Sequence, residues 1–206
     1  MTSLKQLRGV YRVITTFVPQ RLVSPSTKSP NGRKLPAAIL PIIAVLRQLR
    51  DVISAMTDEQ YRMKPVGYAS SNVGSHVRHC LDHVEALLAG IEEGELNYDH
   101  RRRGTEVEIS REAALDAIRR QERQLLAFPP NSEGALLSLS AMLSSSVPAT
   151  KVETTVGREL AFVLSHTVHH NALIAVMAQT LGVPVPDRFG YAPSTIAYLE
   201  KAACAQ

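Results

Sequence analysis

The chain has 206 residues, 45% of them hydrophobic and 20% charged, with a formal net charge of +4. That length and composition allow one globular domain with an ordinary core, plus some extra sequence. The two cysteines, Cys80 and Cys204, lie far apart and form no CxxC or CxxH ligand pair, which argues against a disulfide framework and for a reducing compartment.

The charge is unevenly placed. Residues 1–50 hold nine Lys or Arg and no acidic side chain, Asp51 being the first, whereas the remainder holds 14 basic and 19 acidic side chains. The sequence pI of about 9.2 therefore belongs to the N-terminal segment. A mildly acidic body is a poor partner for a polyphosphate, so nucleic-acid binding is not expected of it. Two readings compete for Met1 to Lys34, which is rich in Arg, Ser and Thr and carries Leu4, Leu7, Val10, Tyr11 and Ile14. One is an organellar transit peptide, placing the protein in a mitochondrion or other organelle; the other is a basic tail or short helix on a cytoplasmic protein. No secretory signal is visible. The longest apolar run, Pro36 to Leu46, is about half a bilayer span and contains Pro41, so no membrane partner is expected.

Val23 to Pro36 is dense in Ser, Pro, Gly and Lys and reads as a linker. Residues 1–35 are accordingly set apart from a helical domain at 36–206. Leu40, Ile43, Leu46 and Ile53 recur at helical spacing and predict a first helix at about 37–56. Thr57, Asp58 and Lys64-Pro65 mark a loop. A second helix is predicted at about 73–90, with Ser70, Ser71 and Asn72 as cap candidates and Gly90 and Gly94 as the stop. A polar connection follows, and Ser110 caps a third helix at about 111–127, closed by Pro129-Pro130. Residues 135–156 alternate in part and read as a small hairpin or extended excursion. A fourth helix is expected at about 157–181, ended by Gly182 and Pro184. The tail beyond it is expected to pack back through Phe189, Tyr191 and Ile196. The fold class predicted is all-α, with four principal helices and a long crossover between the third and fourth that carries the hairpin.

Six of the seven histidines fall in two of these helices: His76, His79 and His83 in the second, His166, His169 and His170 in the fourth. At about 100° per residue the first three lie within roughly 60° of one another. Their stripe also contains Val73, Cys80 and Leu87, so it should face the core. On the fourth helix His166, His170, Leu173 and Met177 share a face, with His169 on its flank. Two histidines at i and i+4 aim two imidazoles at one ion from a rigid helix. The sequence HTVHH lacks the glutamate of a metalloprotease helix. A third imidazole from the facing helix would give a three-nitrogen site with open positions for water or substrate. Imidazole ligands suit zinc, nickel, iron or copper. Against the metal stands a hydrated cluster of hydrogen-bonded histidines, and burying so many titratable groups without a compensating ion is costly.

The segment SNVGSHVRHCLDH, followed by ELAFVLSHTVHHNALIAVMAQTLG, resembles the DinB-like superfamily of metal-binding four-helix bundles. NYDHRRRGTEVE and FGYAPST also resemble segments of one subgroup, so the likeness covers about residues 37–197. It implies a helix-two ligand at His79, followed by Leu81 and Asp82, and helix-four ligands at His166 and His170. His76 and His83 are additional candidates on the face of His79, as partners of the ligands or substitutes for them. Asn171-Ala172 stands where the superfamily often has Arg-Gly. The resemblance also implies a homodimer.

An ion with an open position supports hydrolysis or thiol transfer. The resemblance favours a thiol-dependent transferase acting on a small molecule, with zinc (or nickel or iron) and a low-molecular-weight thiol as cosubstrate. Asp82 is a candidate to orient an imidazole, alongside His76, His83 and His169 around the ligands. Tyr98, Asp99 and Arg101 to Arg103 are candidates to hold an anionic substrate at the pocket mouth. Cys80 points about 100° away from His79 and is read as core packing. The alternative to an enzyme is a metal-stabilised binding or damage-response module, whose ion would have a fourth protein ligand.

Overall fold

In a computed structural model that describes residues 34–65, 71–100 and 104–204, the apolar stripe of the first predicted helix winds into α1 (Ile39–Ser54). It buries Ile42, Leu46, Leu49 and Ile53, while Leu40 is only partly buried, so the inward stripe sits slightly off the expected register. The region read as a loop contains a short helix, α2 (Asp58–Arg62). Thr57 Oγ1 accepts from the Gln60 amide while the Gln60 side chain accepts from the Thr57 amide. This reciprocal cap starts a turn too short to show periodicity, and the turn buries Tyr61.

α3 (Val73–Glu93) is begun by the same device, with Asn72 and Ser75 capping each other. It ends at Gly94, where φ of +76° reverses the chain in a conformation that suits glycine. The chain then enters β1 (Glu95–Leu96). α4 (Glu106–Ile109) precedes α5 (Arg111–Leu126), whose cap is Ser110 as expected. The excursion is a hairpin of β2 (Leu136–Ala141) and β3 (Thr150–Thr155), antiparallel from Leu136 opposite Thr155 to Ala141 opposite Thr150. β1 adds to β2 in parallel, Glu95 beside Ser138, making a sheet of order β1-β2-β3. The molecule is therefore mostly helical, with the expected hairpin extended by β1 into a small three-stranded sheet. A two-residue strand carries too little pattern to be read from sequence.

β3 runs directly into α6 (Val156–Thr180), capped by the Thr155 hydroxyl. α7 (Pro193–Cys204) follows and buries none of its residues. In the intervening segment Phe189 is buried, but Tyr191 is exposed, so the tail docks through the phenylalanine. Among the long helices, α1 packs against α5 and α6, and α3 packs against the same two. The shared core is formed by Ile42 and Leu46 of α1, Val77 and Leu87 of α3, Ile118 and Leu125 of α5, and Leu160, Val163 and Ile174 of α6. The basic extension up to residue 33, the cap candidate Ser70 and Arg101 to Arg103 lie outside the described residues.

Candidate metal centre

The α3–α6 interface carries the histidines. Reading ring contacts along it, His83 lies beside His166 with centroids 4.0 Å apart, and His79 lies 4.8 Å from His166 and 4.5 Å from His170. His170 in turn lies 5.2 Å from His76. The pairs run in opposite order along the two helices, so α3 and α6 are antiparallel and five imidazoles form a ladder between them. His169 is exposed, as its flanking position predicts.

Within the ladder the nitrogens converge. The Nε2 atoms of His79 and His166 are 3.0 Å apart, and the Nδ1 atoms of His76 and His170 are 2.9 Å apart. One ligand atom from each of His79, His83 and His166 falls within a sphere where all mutual separations are at most 4.8 Å. Two imidazole nitrogens this close must share a proton or a cation. Three of them around one point match the donor chemistry of a divalent transition metal. The residues therefore fit such an ion.

Protonation favours the same reading. Burial, reinforced by the neighbouring imidazoles of His166, His76, His169 and His83, pushes His170 down to about 3. Burial and then His169 also lower His76. Neutral rings are the ligating form. Acidification should consequently destabilise the metal-free protein. The unfolded chain protonates His170 near 6.5, whereas the folded chain refuses the proton until about 3. The stabilising contribution is complete above the unfolded value and is lost as pH falls towards the folded one. Urea midpoints of metal-free protein should fall progressively as pH drops from about 6.5 towards about 3, and His170→Gln should flatten the drop. An unchanged slope in that variant would place the cause elsewhere.

One end of the ladder is walled by aromatic rings. Tyr98 stacks on His83 at 5.0 Å with 12° between planes, and Phe162 lies 5.1 Å from Tyr98 and 5.5 Å from His166. The Tyr98 hydroxyl donates to Glu159 Oε2 at 2.9 Å. Glu159 Oε1 accepts from Thr154 Oγ1 at 2.7 Å and from Arg158 Nη1 at 2.8 Å, and the residue is 0% exposed. Burial and then the Glu159 charge push the Tyr98 hydroxyl upward, so it remains a neutral donor. Glu159 and Phe162 were not singled out by sequence. The available signal was spacing alone, since they stand seven and four residues before His166 on the same helix.

The remaining candidates take other places. Asp82 Oδ2 accepts from Arg78 Nη1 at 2.9 Å, and Arg78 Nε pairs with Glu108 Oε2 at 3.0 Å, tying α3 to α4. Asp99 is exposed and accepts from the Met142 amide at 2.8 Å, anchoring the end of β2. Cys80 is fully buried, and burial followed by the Asp82 charge raises its thiol, so it packs in the core and is no nucleophile.

A mostly helical protein with a ladder of histidines between two antiparallel helices belongs to the class of helical metal-binding proteins. Residues 42–174 match the DinB superfamily, and the chain belongs to that superfamily, whose members bind metals. The chain is also similar to FK506-binding protein 5 of Rhizopus delemar, with 35% identity over 107 residues, 52% of this chain and 28% of that protein. It thus spans little more than a quarter of that relative.

Proposed function

We propose that the chain binds one divalent transition metal between α3 and α6 and uses it as a thiol-dependent transferase or hydrolase on a small molecule. The observation that carries this is the convergence of imidazole nitrogens from both helices, with His79 and His166 as the central pair. A third imidazole comes from an i+4 position: His170 by the superfamily pattern, or His83 by nitrogen convergence. When bound, such an ion supplies Lewis acidity, making a small thiol or water acidic near neutral pH and polarising an acceptor. Zinc is the first choice, then nickel or iron.

The chain's own groups divide the remaining work. A proton can pass between His76 and His170 across their Nδ1 pair. Tyr98, held neutral, offers one O–H to Glu159 and keeps its ring against His83. Phe162 and Tyr98 exclude water from that end, which strengthens electrostatic interactions nearby. In this reading the four long helices are a four-helix bundle of DinB type, and Arg101 to Arg103 draw in an anionic substrate.

The test is metal content by mass spectrometry on untagged protein, beside His79→Ala and His166→Ala. About one zinc, nickel or iron per chain in the parent, lost in both variants, is expected. A parent chain that stays metal-free when metal is offered refutes the proposal. With the metal established, thiol-transfer and hydrolysis assays on small electrophiles test the chemistry; inactivity in both would favour a metal-stabilised binding module.

A further inference from the structure

We infer that His83 coordinates the ion alongside His79 and His166, an inference that rests on the metal site proposed above. The superfamily pattern does not place a ligand at this position, so the case depends on local geometry. His83 is one helical turn from His79 on α3, as His170 is from His166 on α6, and each helix therefore offers an i, i+4 pair to its neighbour. Of the two, His83 is the one whose nitrogen closes a group with His79 and His166. Its ring lies 4.0 Å from that of His166 and 4.4 Å from that of His79.

The tautomer is preset. His83 Nδ1 is 2.8 Å from the His79 carbonyl oxygen, which can only accept, so the neutral ring carries its proton on Nδ1. That puts the ring's lone pair on Nε2, the arrangement in which a backbone carbonyl orients a metal-ligating histidine. The ring is also clamped. It is 5% exposed, with Tyr98 stacked 5.0 Å away and fixed in turn by the buried Glu159. A ligand held in one rotamer and one tautomer loses little freedom when the ion arrives. His170 differs, because its Nδ1 stands 2.9 Å from another imidazole, His76, whose own tautomer is not fixed by a carbonyl there.

His83→Phe keeps an aromatic ring for Tyr98 and His166 to pack against while removing both nitrogens. Full-length protein loaded with cobalt(II) is the probe, read by chelator competition and by hyperfine-shifted imidazole N–H resonances. His83→Phe should fold, bind cobalt at least about tenfold more weakly, and lack one strongly shifted N–H signal. The signal matters, because an indirect role could weaken binding but would leave the full set of ligand resonances. If His83→Phe retains every shifted resonance of the parent, whether or not its affinity falls, His83 is not a ligand, while the metal site itself stands. If the parent takes up no cobalt, zinc or nickel, the metal site falls and this inference falls with it. Should His83→Phe fail to fold, His83→Gln is read by the same two measurements, with the same outcomes upholding or overturning the inference.

Discussion

Replacing Gly190 with alanine is expected to cost about 2–5 kcal/mol of folding stability, a large share of what a single domain has. Two independent penalties meet there. The backbone has φ of +79°, where an L side chain costs about 1–2 kcal/mol. A Cβ would also lie 2.5 Å from both the Cα and the N of Ala172 and 2.8 Å from the carbonyl carbon of Asn171. These are backbone atoms of α6, so no rotamer change relieves the clash, and overpacking of this kind costs about 1–3 kcal/mol. The tail would have to lift from α6, carrying the buried Phe189 with it. Gly134→Ala is the control, since its added Cβ meets nothing within 4 Å; it should stay within about 0.5 kcal/mol of the parent. Urea denaturation with unchanged m-value reads both. If Gly190→Ala unfolds at the parent's midpoint, the tail is not docked on α6 as described.

This contact shows where sequence reading stopped. The four long helices were legible because their apolar residues repeat over four or more turns and their ends carry cap chemistry: Asn72 and Ser110 cap as expected, Thr155 caps α6, and Gly94 turns left-handed. The hairpin was legible from alternation in LLSLSA and TKVETT. α2 and α4, at five and four residues, have no period to read. α7 has one but buries nothing, so no core stripe marked it. The close approach of Gly190 to Ala172 is tertiary and leaves no local trace.

The site was legible to the same depth. Helical phase alone put His76, His79, His83, His166 and His170 on facing surfaces and His169 on a flank. Phase could not choose the third imidazole, because both helices repeat their histidine at i+4. That choice depends on side-chain directions, such as the Nδ1 of His83 turning to the His79 carbonyl. Glu159 was illegible for a different reason. An acid in the first turn of a helix is ordinarily explained by the helix dipole. Only the fold shows this one fully buried beneath Tyr98.

Glu159→Ala is expected to be the most damaging polar substitution in α6, at about 2–5 kcal/mol. The carboxylate is 0% exposed and receives Tyr98, Thr154 and Arg158. Arg158 is 60% exposed along its side chain and simply returns to water, so its pair contributes little. The half-buried Tyr98 and Thr154 hydroxyls have no such escape, and stranding each costs about 1–3 kcal/mol. Tyr98→Phe separates the effects, removing one donor while keeping the ring on His83, at about 1–2 kcal/mol. Because both variants break the same Tyr98–Glu159 hydrogen bond, their losses should exceed that of the double variant when added. The two also diverge at the metal. Tyr98→Phe leaves His83 clamped and should hold affinity near the parent's, whereas Glu159→Ala frees the Tyr98 ring and should weaken binding on the order of tenfold. Equal metal affinity in Glu159→Ala and the parent, with stability lost, would confine Glu159 to the fold. Loss of affinity in step with loosening of Tyr98 would make the buried carboxylate a positioning residue for the histidine ladder.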